Sequence, residues 1–144
     1  MLRKFCLAAA VCAVAAAPAF ADDTCGPAPI GPAIPGASDL AGKAIEAQRT
    51  VVIDAYHQVK AYQAALKPYR SCLSTQDQAD RAKIAGLDRK KDADKIAVAN
   101  QRIADRSKLN YQSVDSETQV VTDFNTLHVA ECATDTDVKM CPKK

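Results

Sequence analysis

The chain has 144 residues, 19 basic against 17 acidic, and its aromatic content is 5% with no tryptophan. That length fits one small domain. The near balance of charge supplies no large positive field, which excludes a phosphate-driven nucleic-acid binder or a basic membrane-surface protein.

Taken in order, the first residues read as a secretory signal peptide. Leu2-Arg3-Lys4 is a short basic region, Phe5 to Ala17 is apolar and Ala-rich, and Pro18-Ala19-Phe20-Ala21 ends in an A-x-A cleavage site. The apolar run is about 13 residues, too short for a membrane span, which needs roughly 20. Val11 before Cys12 lacks the small side chain that a lipoprotein site wants. Processing after Ala21 leaves Asp22 to Lys144, one domain of 123 residues. It also removes Arg3 and Lys4, taking 19 basic residues to 17 against 17 acidic. Four cysteines then remain: Cys25, Cys72, Cys132 and Cys141. An even count in an exported chain predicts two disulfides and a periplasmic or secreted location. No C-x-x-C or C-x-x-C-H occurs in the chain, so zinc-ribbon, thioredoxin-like and c-type haem spacings are absent.

Residues 22–37 carry Pro27, Pro29, Pro32 and Pro35 among glycines. Proline at this density disfavours helix and favours an extended strap. The P-x-x-P spacing also matches ligands of Pro-binding modules, but a strap lying over helices is the better reading beside a cysteine.

Ser38 is a good N-cap with Asp39 in the first turn. From there Ile45, Val52, Val59, Leu66 and Leu73 recur every seven residues, with Ala55, Tyr62 and Tyr69 between them. That is an amphipathic helix or coiled-coil face. Pro68 lacks an amide hydrogen and is expected to bend the helix or end it. Between Ser74 and Asp94 only Ile84 and Leu87 are large and apolar, and the run from Asp88 to Lys95 is DRKKDADK. This reads as a solvated connection with its turn near Gly86, braced by mixed charges at i,i+3 spacing. Helical character returns from about Asp92 to Cys132. Read at the straight-helix period, one face carries Ile96, Ala99, Ile103, Ser107, Asn110, Val114, Val121, Phe124, His128 and Cys132, broadened by Val120, Leu127 and Val129. After Cys132 the chain, residues 133–144, reads as an irregular tail. The pattern as a whole predicts an all-α fold: a long antiparallel two-helix hairpin over residues 38–132, preceded by the strap, with arms of roughly 70 Å at 1.5 Å per residue.

Four cysteines allow three pairings. Cys132 with Cys141 is local and easy, which leaves Cys25 for Cys72, and this set ranks first. A fully extended strap from Cys25 to Ser38 reaches ~43 Å, whereas Ser38 to Cys72 along a straight helix is ~51 Å. The bridge then needs a frayed first turn or a bend at Pro68. A bridge from Cys25 to Cys132 or Cys141 needs no stretching and remains open.

Several motifs together resemble a group of small exported proteins of Gram-negative bacteria to which no activity is assigned. They are Cys25, the strap Ile34-Pro35-Gly36-Ala37-Ser38, Val59-x-x-Tyr62, Tyr69-x-x-Cys72-Leu73, Val114-Asp115 and Val121-x-x-Phe124-Asn125. The resemblance implies a helical hairpin with the strap cysteine paired to Cys72. It implies no activity, and Cys132 and Cys141 stand outside its pattern as a separate pair.

Candidate chemistry is sparse. His57 and His128 are the only histidines; a turn centred on Gly86 sets His57 level with about residue 115, too far from His128 to share a metal. Asp54 lies one turn from His57, a common and unspecific pair. Asp92 and Asp94 sit among basic neighbours. No phosphate loop or dinucleotide fingerprint is present, and a two-helix hairpin offers little cleft for a nucleophile, base and orienting group. No catalytic, cofactor or metal residue is therefore assigned and no cofactor is expected; the chain is not read as an enzyme. The aromatics Tyr56, Tyr62, Tyr69, Tyr111 and Phe124 read first as packing beneath the strap. The function expected is a disulfide-braced structural or protein-interaction module of the cell envelope, self-associating or holding a protein partner, with no membrane span after signal cleavage. The alternative is a periplasmic small-ligand or metal-stress binder using His57, His128 or carboxylates.

Overall fold

The computed structural model describes residues 25–137 and Cys141. The signal peptide and its cleavage site, the start of the strap at 22–24, and tail residues 138–140 and 142–144 lie outside the described residues. Two long helices, α1 (Ile45–Ala85) and α2 (Ala93–Cys132), pack against each other as an antiparallel hairpin, and the described residues contain no strand. At 1.5 Å per residue each arm is about 60 Å. No helix among the described residues is long and apolar enough to cross a membrane.

The long helix begins later than its sequence signals suggest. Ser38 lies in a short 3-10 turn, Ala37–Leu40, whose start is held by the Asp39 carboxylate accepting the Gly36 amide at 2.7 Å. Leu40 is turned inward and buried with Val52, Ala55 and Leu127. To reach that position the chain leaves the helix axis, and Gly42 takes a left-handed φ of +72°, which a glycine adopts at little cost. Helix α1 therefore starts at Ile45 rather than Ser38.

This later start also answers the reach problem. Cys25 and Cys72 form a disulfide, as do Cys132 and Cys141. From Ile45, Cys72 lies only about 40 Å along the helix, within reach of the lengthened non-helical segment. The bridge makes no demand for a bend at Pro68. That residue lies inside α1, which neither ends nor is interrupted there; its ring only withholds one amide from the Ala64 carbonyl.

The buried positions of α1 are Gln48, Val52, Ala55, Val59, Tyr62, Leu66, Tyr69, Leu73 and Asp80. They alternate by four and three residues and so follow a 3.5-residue seam. On α2 the buried set is Ala99, Ile103, Arg106, Ser113, Val120, Leu127 and Glu131. Ala99 and Ile103 belong to the stripe expected there, and Val120 and Leu127 to the residues that broaden it. Beyond Ile103, each buried residue sits one position before the expected Ser107, Val114, Val121, His128 and Cys132. The offset enters at one step. From Ile103 the seam advances three residues to Arg106, where the expected stripe advances four to Ser107, and both sets then recur every seven residues with that offset kept.

The strap closes over the apolar end of this seam. A methyl group at Gly31 would stand 3.0 Å from Val120 Cγ2 and 3.6 Å from the Tyr62 ring, so the backbone crosses both helices there. Ile34 packs against both buried clusters, Leu40–Val52–Ala55–Leu127 and Val59–Tyr62–Leu66–Val120. Pro29, Pro32 and Pro35 are half-buried, as a strap requires and a free ligand motif does not.

Leu127 is fully buried, and Val129, two residues on, is 69% exposed. Leu127→Ala should lower unfolding free energy by about 2–5 kcal/mol through the cavity it leaves. Val129→Ala should stay within about 0.5 kcal/mol of wild type. Urea titrations followed by circular dichroism measure both, and equal effects would contradict the seam described above.

Candidate functional site at the base of the hairpin

Polar side chains occupy the seam in two zones, one toward the turn and one at the base, where both helices meet their flanking segments. In the first, Arg70 of α1 donates to the Ser113 hydroxyl at 2.8 Å, the Ser113 carbonyl at 2.7 Å and Glu117 at 2.7 Å. Gln63 donates to the same carboxylate at 2.9 Å, and Tyr62 to Ser116 at 2.9 Å. Nearer the turn, Asp80 accepts two hydrogen bonds of 3.0 Å from Arg102 and one from Arg106, which also donates to Asp77 at 2.7 Å. Asp80 and Arg106 are both buried. The Arg102 and Arg106 guanidiniums hold the Asp80 carboxyl well below the usual carboxylate range. The connection itself is solvated and self-capped: Asp88 accepts the amides of Lys90 and Lys91, and Asp92 pairs with Lys95 at 2.7 Å.

The base zone starts from the last turn of α2. His128, Glu131 and Cys132 lie at i, i+3 and i+4, so they share one side of the helix end. Just past the end, Asp135 binds Arg49 of α1 through two hydrogen bonds, one of 2.7 Å, and accepts the Asp137 amide at 2.9 Å. These bonds, Arg49 first, hold Asp135 well below its ordinary pKa. The Thr134 hydroxyl lies 2.9 Å from Gln48 Oε1, and Gln48 donates to the Lys43 carbonyl at 2.9 Å. The first turn of α1, the last turn of α2 and the segments beyond both are thereby joined.

At the centre of this knot is Glu131, with 0% exposure. Its Oε2 lies 3.4 Å from Cys132 Sγ and 3.3 Å from Cys141 Sγ, and its Oε1 is buried without a hydrogen-bond partner. Burial pushes the Glu131 carboxyl up, and a side-chain hydrogen bond with Asp135 pushes it further. The donor atoms of His128, Glu131, Cys132 and Cys141 all lie within 4.8 Å of one another.

The two histidines are closer than a turn centred on Gly86 implies. The non-helical connection runs on through residues 86–92, which shifts the register by about ten residues toward the C-terminus. His57 thus lies beside the level of Phe124 rather than residue 115. Tyr56 touches both the His57 and Phe124 rings, at 5.8 and 6.0 Å, and Phe124 stacks on His128 at 6.0 Å. The histidines bracket an aromatic ladder and do not share the donor cluster, which takes His128 alone. Tyr62 and Tyr69 are buried, Tyr62 beneath Gly31 and Tyr69 in a shallow groove of about 610 Å³ beside Gly26 and Pro27. Tyr111 is exposed. Asp54 is exposed, as is Asp94.

Glu131, Asp135, Arg49 and the Asp80–Arg106 zone were not singled out by the sequence pattern. The signal that finds them is position: Asp80 lies seven residues after Leu73, and Arg106, Ser113 and Glu131 fall on the 3.5-residue seam of α2.

No family model, curated protein or solved structure matches this chain.

Asp80 releases its proton more readily in the folded chain than unfolded. Its contribution is therefore complete above the ordinary value near 3.8 and is lost as pH falls below it toward the folded value. Asp80→Asn should cost roughly 2–3 kcal/mol at pH 7, and the gap to wild type should close in strong acid. Unfolding curves that stay parallel from pH 7 to pH 2 would contradict this.

Proposed function

We propose that this chain is an exported, disulfide-braced helical module of the cell envelope, with a structural or protein-binding role in the periplasm or outside the cell. The observation that carries the reading is the placement of the two disulfides. One fastens the strap to the middle of α1 and the other fastens the tail to the end of α2. Such staples persist in oxidising compartments and stabilise small domains with modest cores. In the chain-entropy picture the Cys25–Cys72 loop contributes about 4 kcal/mol and the Cys132–Cys141 loop about 3 kcal/mol. The amino-terminal signal pattern agrees with export. The resemblance to small exported helical proteins agrees as well and adds no activity. No catalysis is proposed, because neither polar zone places a nucleophile beside a base in a cleft. Exposed apolar side chains such as Tyr111 and Val114, one turn apart on α2, offer contacts for a protein partner or a second copy.

The second reading is a periplasmic metal or small-ligand binder, and the convergence of His128 and Glu131 at the base is the observation that favours it. The first reading predicts that the disulfide-bonded protein takes up no stoichiometric zinc or copper in native mass spectrometry.

Export has its own test. Intact mass of the protein recovered from the envelope fraction of an expressing Gram-negative cell should correspond to Asp22–Lys144 with four hydrogens missing. Recovery of the full chain from the cytoplasm with four free thiols would overturn the reading.

A further inference from the structure

We propose that the base of the hairpin is a redox-gated zinc site, closed while Cys132 and Cys141 are joined and opened when that disulfide is reduced. The four ligands would be His128, Glu131, Cys132 and Cys141, and the metal would take over the disulfide's task of holding the tail to α2. This goes beyond the envelope-module reading and does not depend on it.

The geometry carries the inference. Four donors of three kinds, imidazole, carboxylate and two sulfurs, lie within 4.8 Å of one another. Structural zinc is four-coordinate and tetrahedral, with Zn–S near 2.3 Å and Zn–N and Zn–O near 2.0–2.2 Å. Those lengths put neighbouring ligand atoms about 3.3–3.8 Å apart. Glu131 Oε2 already stands 3.4 and 3.3 Å from the two sulfurs. While Cys132 and Cys141 are joined, neither sulfur is a thiolate that can ligate a metal. Breaking that bond frees both as ligands. Three of the ligands come from one rigid helix turn, and only Cys141 has to be supplied by the tail.

A second observation points to a ligand independently. Glu131 has 0% exposure, its Oε1 receives no N–H hydrogen bond, and its side-chain hydrogen-bond partner is another acid, Asp135. Burying a carboxylate beside another acid is costly, and a cation bound at its Oε2 would offset that cost. Two thiolates with imidazole and carboxylate form a mixed soft and borderline set suited to zinc rather than to magnesium or calcium.

The gating step balances as a thiol–disulfide exchange. A dithiol reductant attacks one sulfur through its thiolate, the Cys132–Cys141 bond breaks, and a mixed disulfide forms. The reductant's second thiol displaces the protein sulfur, leaving two protein thiols and an oxidised cyclic reductant. Two electrons pass to the protein. Zinc then displaces one proton from each thiol and binds both thiolates. Both cysteines are half-buried rather than enclosed, so a reductant can reach them.

The test compares mature wild type, Cys132→Ser/Cys141→Ser and His128→Ala, each oxidised and anaerobically reduced, with zinc as the probe and native mass spectrometry as the readout. Reduced wild type should hold one zinc per chain, and the oxidised form none at the same concentration. The double serine variant should bind more than about 100-fold more weakly, exceeding the 10–100-fold effect of losing an outer-shell partner. His128→Ala should weaken binding at least about 10-fold. Equal uptake by oxidised wild type would remove the gate. Equal uptake by the reduced serine variant would place the metal elsewhere, at Cys25 and Cys72. No uptake by reduced wild type would overturn the site. Far-UV circular dichroism covers the case in which reduction loosens the fold: zinc that restores helicity to wild type but not to the serine variant supports the site, and zinc that restores neither rejects it.

Discussion

Two helices of about 60 Å can share only one stripe each, and how that stripe is filled decides the rest of the molecule. The seam keeps a 3.5-residue spacing from Gln48 to Asp80 on α1 and from Ala99 to Glu131 on α2. Such a seam holds one register only if its layers are distinguishable. Here they are. The layers near the base carry Val52, Ala55, Val59, Leu66, Val120 and Leu127, and those toward the turn carry Asp77, Asp80, Arg102 and Arg106. A slip by one heptad would set Tyr69 and Leu73 against arginines and leave a buried carboxylate unpaired. Breaking one of these ionic pairs leaves an uncompensated buried charge, so the layers penalise misalignment.

The strap explains why the two halves differ. Its described part starts at Cys25, bonded to Cys72, and runs back toward the base, where Leu40 enters the core beside Leu127. It therefore covers the stretch of seam that is apolar. Among the described residues no strap lies over the helices beyond Leu73; there α1 turns polar at Gln76, Asp77 and Asp80, while α2 still buries Ala99 and Ile103. Two bare helices leave the flanks of every seam residue near water, where carboxylate–guanidinium pairs are tolerable and large apolar groups gain less. With a third layer of backbone and proline rings above it, the same seam can bury Tyr62 and Leu66 almost fully. The disulfide at Cys72 sits at the boundary between the two regimes.

Much of this was legible in the residues. The seven-residue spacing of Val52, Val59, Leu66 and Leu73, the density of prolines before Ser38 and the absence of apolar alternation lead to a strapped helical hairpin. What was not legible has identifiable causes. The start of α1 shifted from Ser38 to Ile45 because Leu40 has a tertiary contact with α2, and a good local N-cap carries no information about that. The face of α2 was misjudged by one residue because its seam positions hold Arg106, Ser113 and Glu131. Apolar residues alone then favour Ser107 over Arg106 as the next position, and Val114, Val121 and His128 keep that one-residue offset. The distance between His57 and His128 was overestimated because a connection reaching to Asp92 moves every cross-helix pair together. A register error in a hairpin is global: one misplaced turn centre changes the partner of each residue along both arms.

The base is where these two kinds of hidden information meet. Glu131 is a helix-terminal acid in a sequence with 17 acidic residues, and nothing in its neighbourhood of residues marks it as buried. Its burial results from the seam phase of α2, from the tail returning through Asp135 to Arg49, and from the Cys132–Cys141 bridge closing the remaining side. Each of these is ordinary alone. Together they place a carboxyl against two sulfurs, with the Arg49 guanidinium committed to Asp135 rather than to Glu131. A fold selected only for stability would gain by an apolar residue at this seam position, as at Leu127 one turn before it. Keeping a carboxyl there, against two sulfurs and a second acid, is the feature of the hairpin that packing alone does not account for.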